Sequence, residues 1–119
     1  MARILIVENN QDIRDLFQHI LSPEHQILEA TNGREAIEIF KHYQPDIVIT
    51  HYTIPEIDGI ELVSYIRSLS RNVKIIAYSG HFAYQAKCSA MFAAGADRLL
   101  RQPIDMAQIE QSVAEFVGL

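Results

Sequence analysis

Cysteine occurs once in the 119 residues, and glycine and proline supply only five and four positions. The single cysteine, Cys88, cannot close an internal disulfide, so a packed core has to hold the fold, as is usual in the cytoplasm. No apolar run approaches the ~18 residues of a membrane span. No charged start followed by an apolar stretch and a cleavage site marks a secretory signal. Basic residues are also scarce: ten Lys and Arg stand against fifteen Asp and Glu, for a net charge of -5. That balance argues against a nucleic-acid footprint, which needs clustered Lys and Arg. A cytoplasmic location is expected.

What is present is apolar and evenly spread. Apolar residues make up 49% of the chain and charged residues 21%, the balance of one globular domain over residues 1–119. No linker, low-complexity segment or internal repeat divides it. The chain starts at its first strand and ends with its last helix, which fits a free-standing protein or a module of a longer one.

Two apolar periodicities alternate. Ile4 to Val7, Ile47 to Ile49 and Val73 to Ala77 are short, β-branched and nearly continuous, the pattern of parallel strands buried on both faces. Gln26 to Ala30 and Arg98 to Gln102 are weaker and are expected nearer the sheet edges. Helical spacing lies between them. Ile13, Leu16, Phe17, Ile20 and Leu21 form one stripe, stopped by Pro23. Ala36, Ile37 and Phe40 form the next, and Leu62, Val63, Ile66 and Leu69 a third. Ala83 to Ala94 predicts a helix ending at Gly95, and Ile109, Val113, Phe116 and Val117 predict another capped by Asp105.

Five strand-then-helix repeats imply a parallel sheet covered on both faces, with right-handed crossovers. In such doubly wound folds the chemistry gathers beyond the carboxyl ends of the strands. Those ends carry Glu8-Asn9, His51, Ser79-Gly80 and Gln102-Pro103.

Four segments carry a resemblance. "ILIVENNQDIR", "PDIVITHYTIPEIDGIEL", "KIIAYSG" and "AAGADRLLRQPID" follow one another at the spacing of the receiver domain of two-component response regulators, the family of the chemotaxis response regulator. The resemblance covers essentially the whole chain. It implies a flavodoxin-like α/β fold: a five-stranded parallel sheet of order 2-1-3-4-5 between two layers of helices, five in all. It also implies a reaction. In receivers an aspartate ending the third strand takes a phosphoryl group from a kinase phosphohistidine. Mg²⁺ is held by that aspartate, by an acidic pair after the first strand and by a backbone carbonyl. A lysine before the last proline pairs with the phosphoryl oxygens, and a Ser or Thr after the fourth strand reports the event.

This sequence departs from that pattern at three places. His51 stands at the phosphoacceptor position, Asn9 at the second acidic position and Gln102 at the lysine position. Glu8, Ser79 and the carbonyl of Thr53 remain. Without a carboxylate at 51 no acyl phosphate can form. Mg²⁺ wants several hard oxygen ligands, and imidazole suits softer metals. Without Mg²⁺ or lysine nothing neutralises charge on a transferring phosphoryl group. The expectation is therefore a pseudo-receiver with no cofactor and Mg²⁺ binding lost or weak. It would not be an enzyme, and it would regulate a phosphorelay by protein contact.

Alternatives stand beside this reading. His51 has three further readings: phosphorylated itself, binding a metal with Glu8 and Asn9, or simply hydrogen-bonding Glu8. A further alternative is a crevice that senses a metal or small anion. Ser79 either keeps a switch role or merely ends a buried strand. Leu99 replaces the aromatic that many receivers swing inward. Gln102-Pro103 is expected to be cis, as the family's Lys-Pro turn is. Cys88 is expected to be a packed or surface thiol. The aromatics of "HFAYQAK" are either a contact patch or packing. By analogy with the family, partners are expected on the face of the fourth helix, fifth strand and fifth helix, through Tyr84, Lys87, Arg98, Leu99, Arg101, Gln108 and Gln111. The partner would be a histidine kinase, other domains of a hybrid kinase, or a second copy of the chain across that face, with neither nucleic acid nor membrane contacted.

Overall fold

The central strands are mostly aliphatic, and alternate residues face opposite layers. The computed structural model describes residues 1–80 and 85–118. The strands are β1 (Arg3–Val7), β2 (Gln26–Ala30), β3 (Ile47–His51), β4 (Lys74–Ser79) and β5 (Arg98–Arg101). They alternate with α1 (Gln11–Leu21), α2 (Gly33–Tyr43), α3 (Gly59–Leu69), α4 (Gln85–Ala94) and α5 (Met106–Phe116). The sheet is parallel throughout, in the order β2-β1-β3-β4-β5. The weakly patterned β2 and β5 are its edges, as their composition predicts. Among the described residues no helix is long and apolar enough to cross a membrane.

The side-chain alternation of the strands divides the core in two. Leu5, Val7, Val48, Ile75 and Ala77 pack with Ala36, Phe40, Leu62, Val63, Ile66 and Met91, from α2, α3 and α4. Ile4, Ile6, Ile49, Ile76 and Tyr78 pack with Phe17, Leu21, Ile109 and Val113, from α1 and α5. The central strands are buried on both faces, which is why they read as continuous apolar runs.

Polar side chains set the helix starts at the top of the sheet. The Oδ1 of Asn10 accepts from Ile13 N–H at 3.2 Å, and that of Asn32 accepts from Glu35 N–H at 2.8 Å. Asp58 caps α3 at 2.8 Å, and Asp105 caps α5 at 2.9 Å as expected. Each cap satisfies a backbone donor that the first helical turn leaves open. The α4 helix ends at Gly95, whose φ of 125° suits glycine. The start expected for this helix near Ala83, and the aromatics His81, Phe82 and Tyr84, lie outside the described residues.

Candidate functional site

Glu8 follows β1 directly. Its backbone N–H donates to the carbonyl of Ala30 at 3.0 Å, which keeps it in line with the strand. The side chain is thereby turned into the protein, and the residue is only 2% exposed. A buried carboxylate is costly unless its oxygens are hydrogen-bonded. Both are: the N–H of Asn10 donates to Oε2 at 2.9 Å, and the hydroxyl of Tyr78 donates to Oε1 at 2.5 Å. The Glu8 carbonyl accepts from Arg14 Nη1 at 2.6 Å, and Arg14 is itself held by Glu29 at 2.9 Å.

Tyr78 reaches Glu8 because β4 lies one strand beyond β3 and its ring fills the α1–α5 side of the core. It is fully buried, with Phe17 5.7 Å away between ring centroids. Burial pushes the Tyr78 hydroxyl far above the ordinary tyrosine range, and the bond to Glu8 and its negative charge add to the shift.

His51 ends β3, level with Tyr78 in the β3–β4 register. The two rings stack at 5.0 Å with 13° between their planes. His51 Nδ1 lies 3.6 Å from Glu8 Oε1, within ion-pair distance but too long for a hydrogen bond. Its Nε2 lies 3.3 Å from Gln102 Oε1. That same oxygen accepts from the N–H of Gly80 at 3.1 Å, so it is an acceptor. The hydrogen-bond pattern therefore assigns a proton to Nε2, which donates to Gln102. The expected hydrogen bond from His51 to Glu8 is thus replaced by one to Gln102, with Glu8 as a charged neighbour.

The remaining site positions fall around this centre. Asn9 and Thr53 are exposed, on the loops after β1 and β3. Ser79 is buried at 1%, and its carbonyl accepts from Gln102 N–H at 3.3 Å. The Gln102-Pro103 peptide is cis, as expected. Among the described residues no three His, Cys, Asp or Glu side chains group so as to hold a metal ion. Glu8 and His51 come together, whereas Asn9 is exposed on the loop beside them.

The loop between β3 and α3 is shaped by two special backbones. Gly59 donates to the Tyr52 carbonyl at 3.0 Å, and a Cβ on it would lie 2.3 Å from that oxygen, so the close approach requires glycine. Glu56 has a φ of 78°, at the centre of a tight turn in which Ile57 N–H donates to the Pro55 carbonyl at 3.0 Å.

The expected partner face is only partly free. Arg101, Gln108 and Gln111 are exposed. Arg98 is engaged within the chain, at 2.6 Å from Glu115 and 3.2 Å from Ser112, with its guanidinium 4.8 Å from the centre of the Phe116 ring. Leu99 is half-buried and packs against the α2–α4 side of the core. Lys87 is half-buried with its ammonium 5.3 Å from the centre of the Tyr52 ring. Cys88 is half-buried against the same core. Tyr84 lies outside the described residues.

Sequence reasoning missed Tyr78, Arg14 and Phe92. A tyrosine inside an aliphatic strand was a signal, because a buried hydroxyl must find a partner. Phe92, 51% exposed on α4, had a weaker one: Lys87 is the sole charged residue of that helix.

The response regulator receiver domain matches residues 4–114. The chain is 31% identical to the chemotaxis protein CheY of Halobacterium salinarum over 116 residues, 97% of this chain and 96% of that protein. It is 33% identical to CheY of Thermotoga maritima over 113 residues, 93% of each. A chemotaxis response regulator of Vibrio cholerae has the same fold, with a TM-score of 0.89 over 98% of both chains at 24% identity.

Proposed function

The chain belongs to the response regulator receiver domain family, and on that premise we propose that it is a pseudo-receiver, which signals by protein contact and takes no phosphoryl group. Two-component signalling is the setting its family supplies, and receivers are in general signalling modules rather than enzymes. The observation that carries the reading is His51 at the end of β3, with its Nε2 proton given to Gln102. A receiver needs a carboxylate nucleophile there and a cation opposite it. This crevice offers an imidazole and a neutral amide.

In this reading Mg²⁺ has no resident place. The donor set supports that view. Glu8 is the carboxylate of the crevice, and both its oxygens already accept hydrogen bonds. Asn9 brings a neutral amide and His51 a nitrogen, a poor set for a small hard cation that demands oxygen octahedra.

The working surface is then the face of α4, β5 and α5. Arg101, Gln108 and Gln111 present polar groups there, and Phe92 an exposed ring. A histidine kinase, a neighbouring domain of a hybrid kinase or a second copy of the chain is the partner class, met in the cytoplasm. The test is incubation with Mg²⁺ and a small acyl phosphate, followed by intact-mass measurement. No added mass is expected. A phosphoryl adduct, stable or labile to acid, would overturn the proposal.

A further inference from the structure

Three strand ends meet at one oxygen atom. Gln102, just past β5, places Oε1 where it accepts both from the N–H of Gly80, just past β4, and from His51 Nε2, at the end of β3. Gln102 N–H also donates to the Ser79 carbonyl at 3.3 Å. The His51 ring is held in turn by its stack on Tyr78. We infer that His51, Gln102 and Gly80 form a clasp that holds the ends of β3, β4 and β5 in one arrangement with no phosphoryl group, so that the surface built on them does not switch.

The inference rests on the pseudo-receiver reading and deepens it. In a receiver that is phosphorylated, the phosphoryl group would bridge acceptor, hydroxyl and lysine across these strand ends. Here side-chain and backbone hydrogen bonds built into the chain make the connection. An amide suits the position as lysine would not. Its oxygen can accept two hydrogen bonds at once, whereas an ammonium only donates.

The clasp also reaches α4 without passing through residues 81–84. Tyr52 follows His51, its N–H donates to the Tyr78 carbonyl at 2.9 Å, and the Lys87 ammonium of α4 rests on its ring. Holding the end of β3 therefore holds the ring on which α4 leans. His51 is 21% exposed at its side chain, so water has limited access to compete for its bond to Gln102.

Amide hydrogen exchange of the whole chain, read by NMR, tests the clasp. Gln102→Leu keeps the side-chain bulk and removes the acceptor. Exchange at Gly80 should rise about tenfold, the scale of one lost hydrogen bond, and the Tyr52 and Lys87 amide resonances should shift. Gln102→Glu keeps an acceptor oxygen and should stay within about twofold of the parent. Unchanged exchange at Gly80 in the leucine variant would overturn the clasp, as would equal acceleration in both variants. Should the leucine variant fail to fold, His51→Phe preserves the stack and removes the Nε2 donor. It should then move the Gln102 side-chain amide resonances, and unmoved resonances would refute the clasp. Phosphoryl uptake by the unaltered chain remains a separate outcome, which would overturn the pseudo-receiver reading whatever the exchange rates show.

Discussion

The hydroxyl of Tyr78 donates to Glu8 Oε1 across 70 residues of sequence, joining β4 to the end of β1 beneath the ring of His51. Removing that donor takes its hydrogen bond from a buried carboxylate oxygen, which the His51 edge approaches to 3.6 Å. Hydrogen bonds to charged groups are worth more than neutral ones, so Tyr78→Phe should lower unfolding free energy by about 2 kcal/mol. Urea denaturation checks this. Adding Glu8→Gln should cost less than the sum of the two single changes, because the pair shares one interaction. Full additivity would mean that the bond contributes nothing.

The same burial gives the protein an alkaline limit. The folded pKa of Tyr78 is raised above the ordinary value of 10.0, so the folded state keeps the neutral phenol. Below about pH 10 the group is neutral in both states and its contribution is complete. Above that, the unfolded chain ionises first. Stability then falls by about 1.4 kcal/mol per pH unit from this residue alone. Tyrosinate absorbance should show one group appearing only together with loss of the folded circular dichroism signal. In Tyr78→Phe that coupled step should vanish. A Tyr78 that titrates smoothly within the folded state would refute the account.

The strands and most helices were legible because burial on both faces leaves an unmistakable aliphatic run, as in Ile4 to Val7, and because Asn, Asp and Gly mark helix ends. The crevice residues were legible as strand-end positions, and the resemblance gave them roles. The connections among them were not. Nothing in the order of residues tells that His51 turns one nitrogen to Gln102 while Glu8 is satisfied by Tyr78. Those partners come from neighbouring strands, and only the sheet order decides which strand ends meet. Arg98 shows the same gap: as a sequence position it is a surface cation, but the approach of α5 to β5 gives it Glu115.

The turn after β3 predicts substitutions of opposite sign within four residues. Glu56 holds a φ of 78°, a region that costs a residue with a Cβ about 1–2 kcal/mol. Glu56→Gly removes that strain but frees the unfolded chain, for a net gain of about 0.5 kcal/mol. Gly59→Ala would press a methyl group against the Tyr52 carbonyl, 2.3 Å away before relaxation, and should cost about 1–3 kcal/mol. Thermal unfolding of both variants checks the pair. A destabilising Glu56→Gly would show that its exposed pairing with Arg34, at 3.9 Å, outweighs the backbone strain.

Phe92 offers the sharpest probe of the proposed partner face. It is 51% exposed, and the outward residues beside it on α4, Ala90 and Ala93, are also apolar. If two copies meet across the face of α4 and α5, this ring belongs at the contact, since aromatic side chains anchor such interfaces. Phe92→Glu should then weaken self-association, read as a shift toward monomer in sedimentation at matched concentrations. Urea stability of the monomer should move by no more than about 0.5 kcal/mol, because the site is on the surface. Leu16→Glu is the matching control: it is equally exposed at 50%, but lies on α1. Association lost in both variants would reveal only a general dependence on surface hydrophobicity, and association lost in Leu16→Glu alone would move the interface to α1. A chain that stays monomeric at every concentration would leave the α4 face to a partner of different sequence. The same Phe92→Glu substitution should then abolish capture of that partner while leaving the Gly80 exchange rate unchanged.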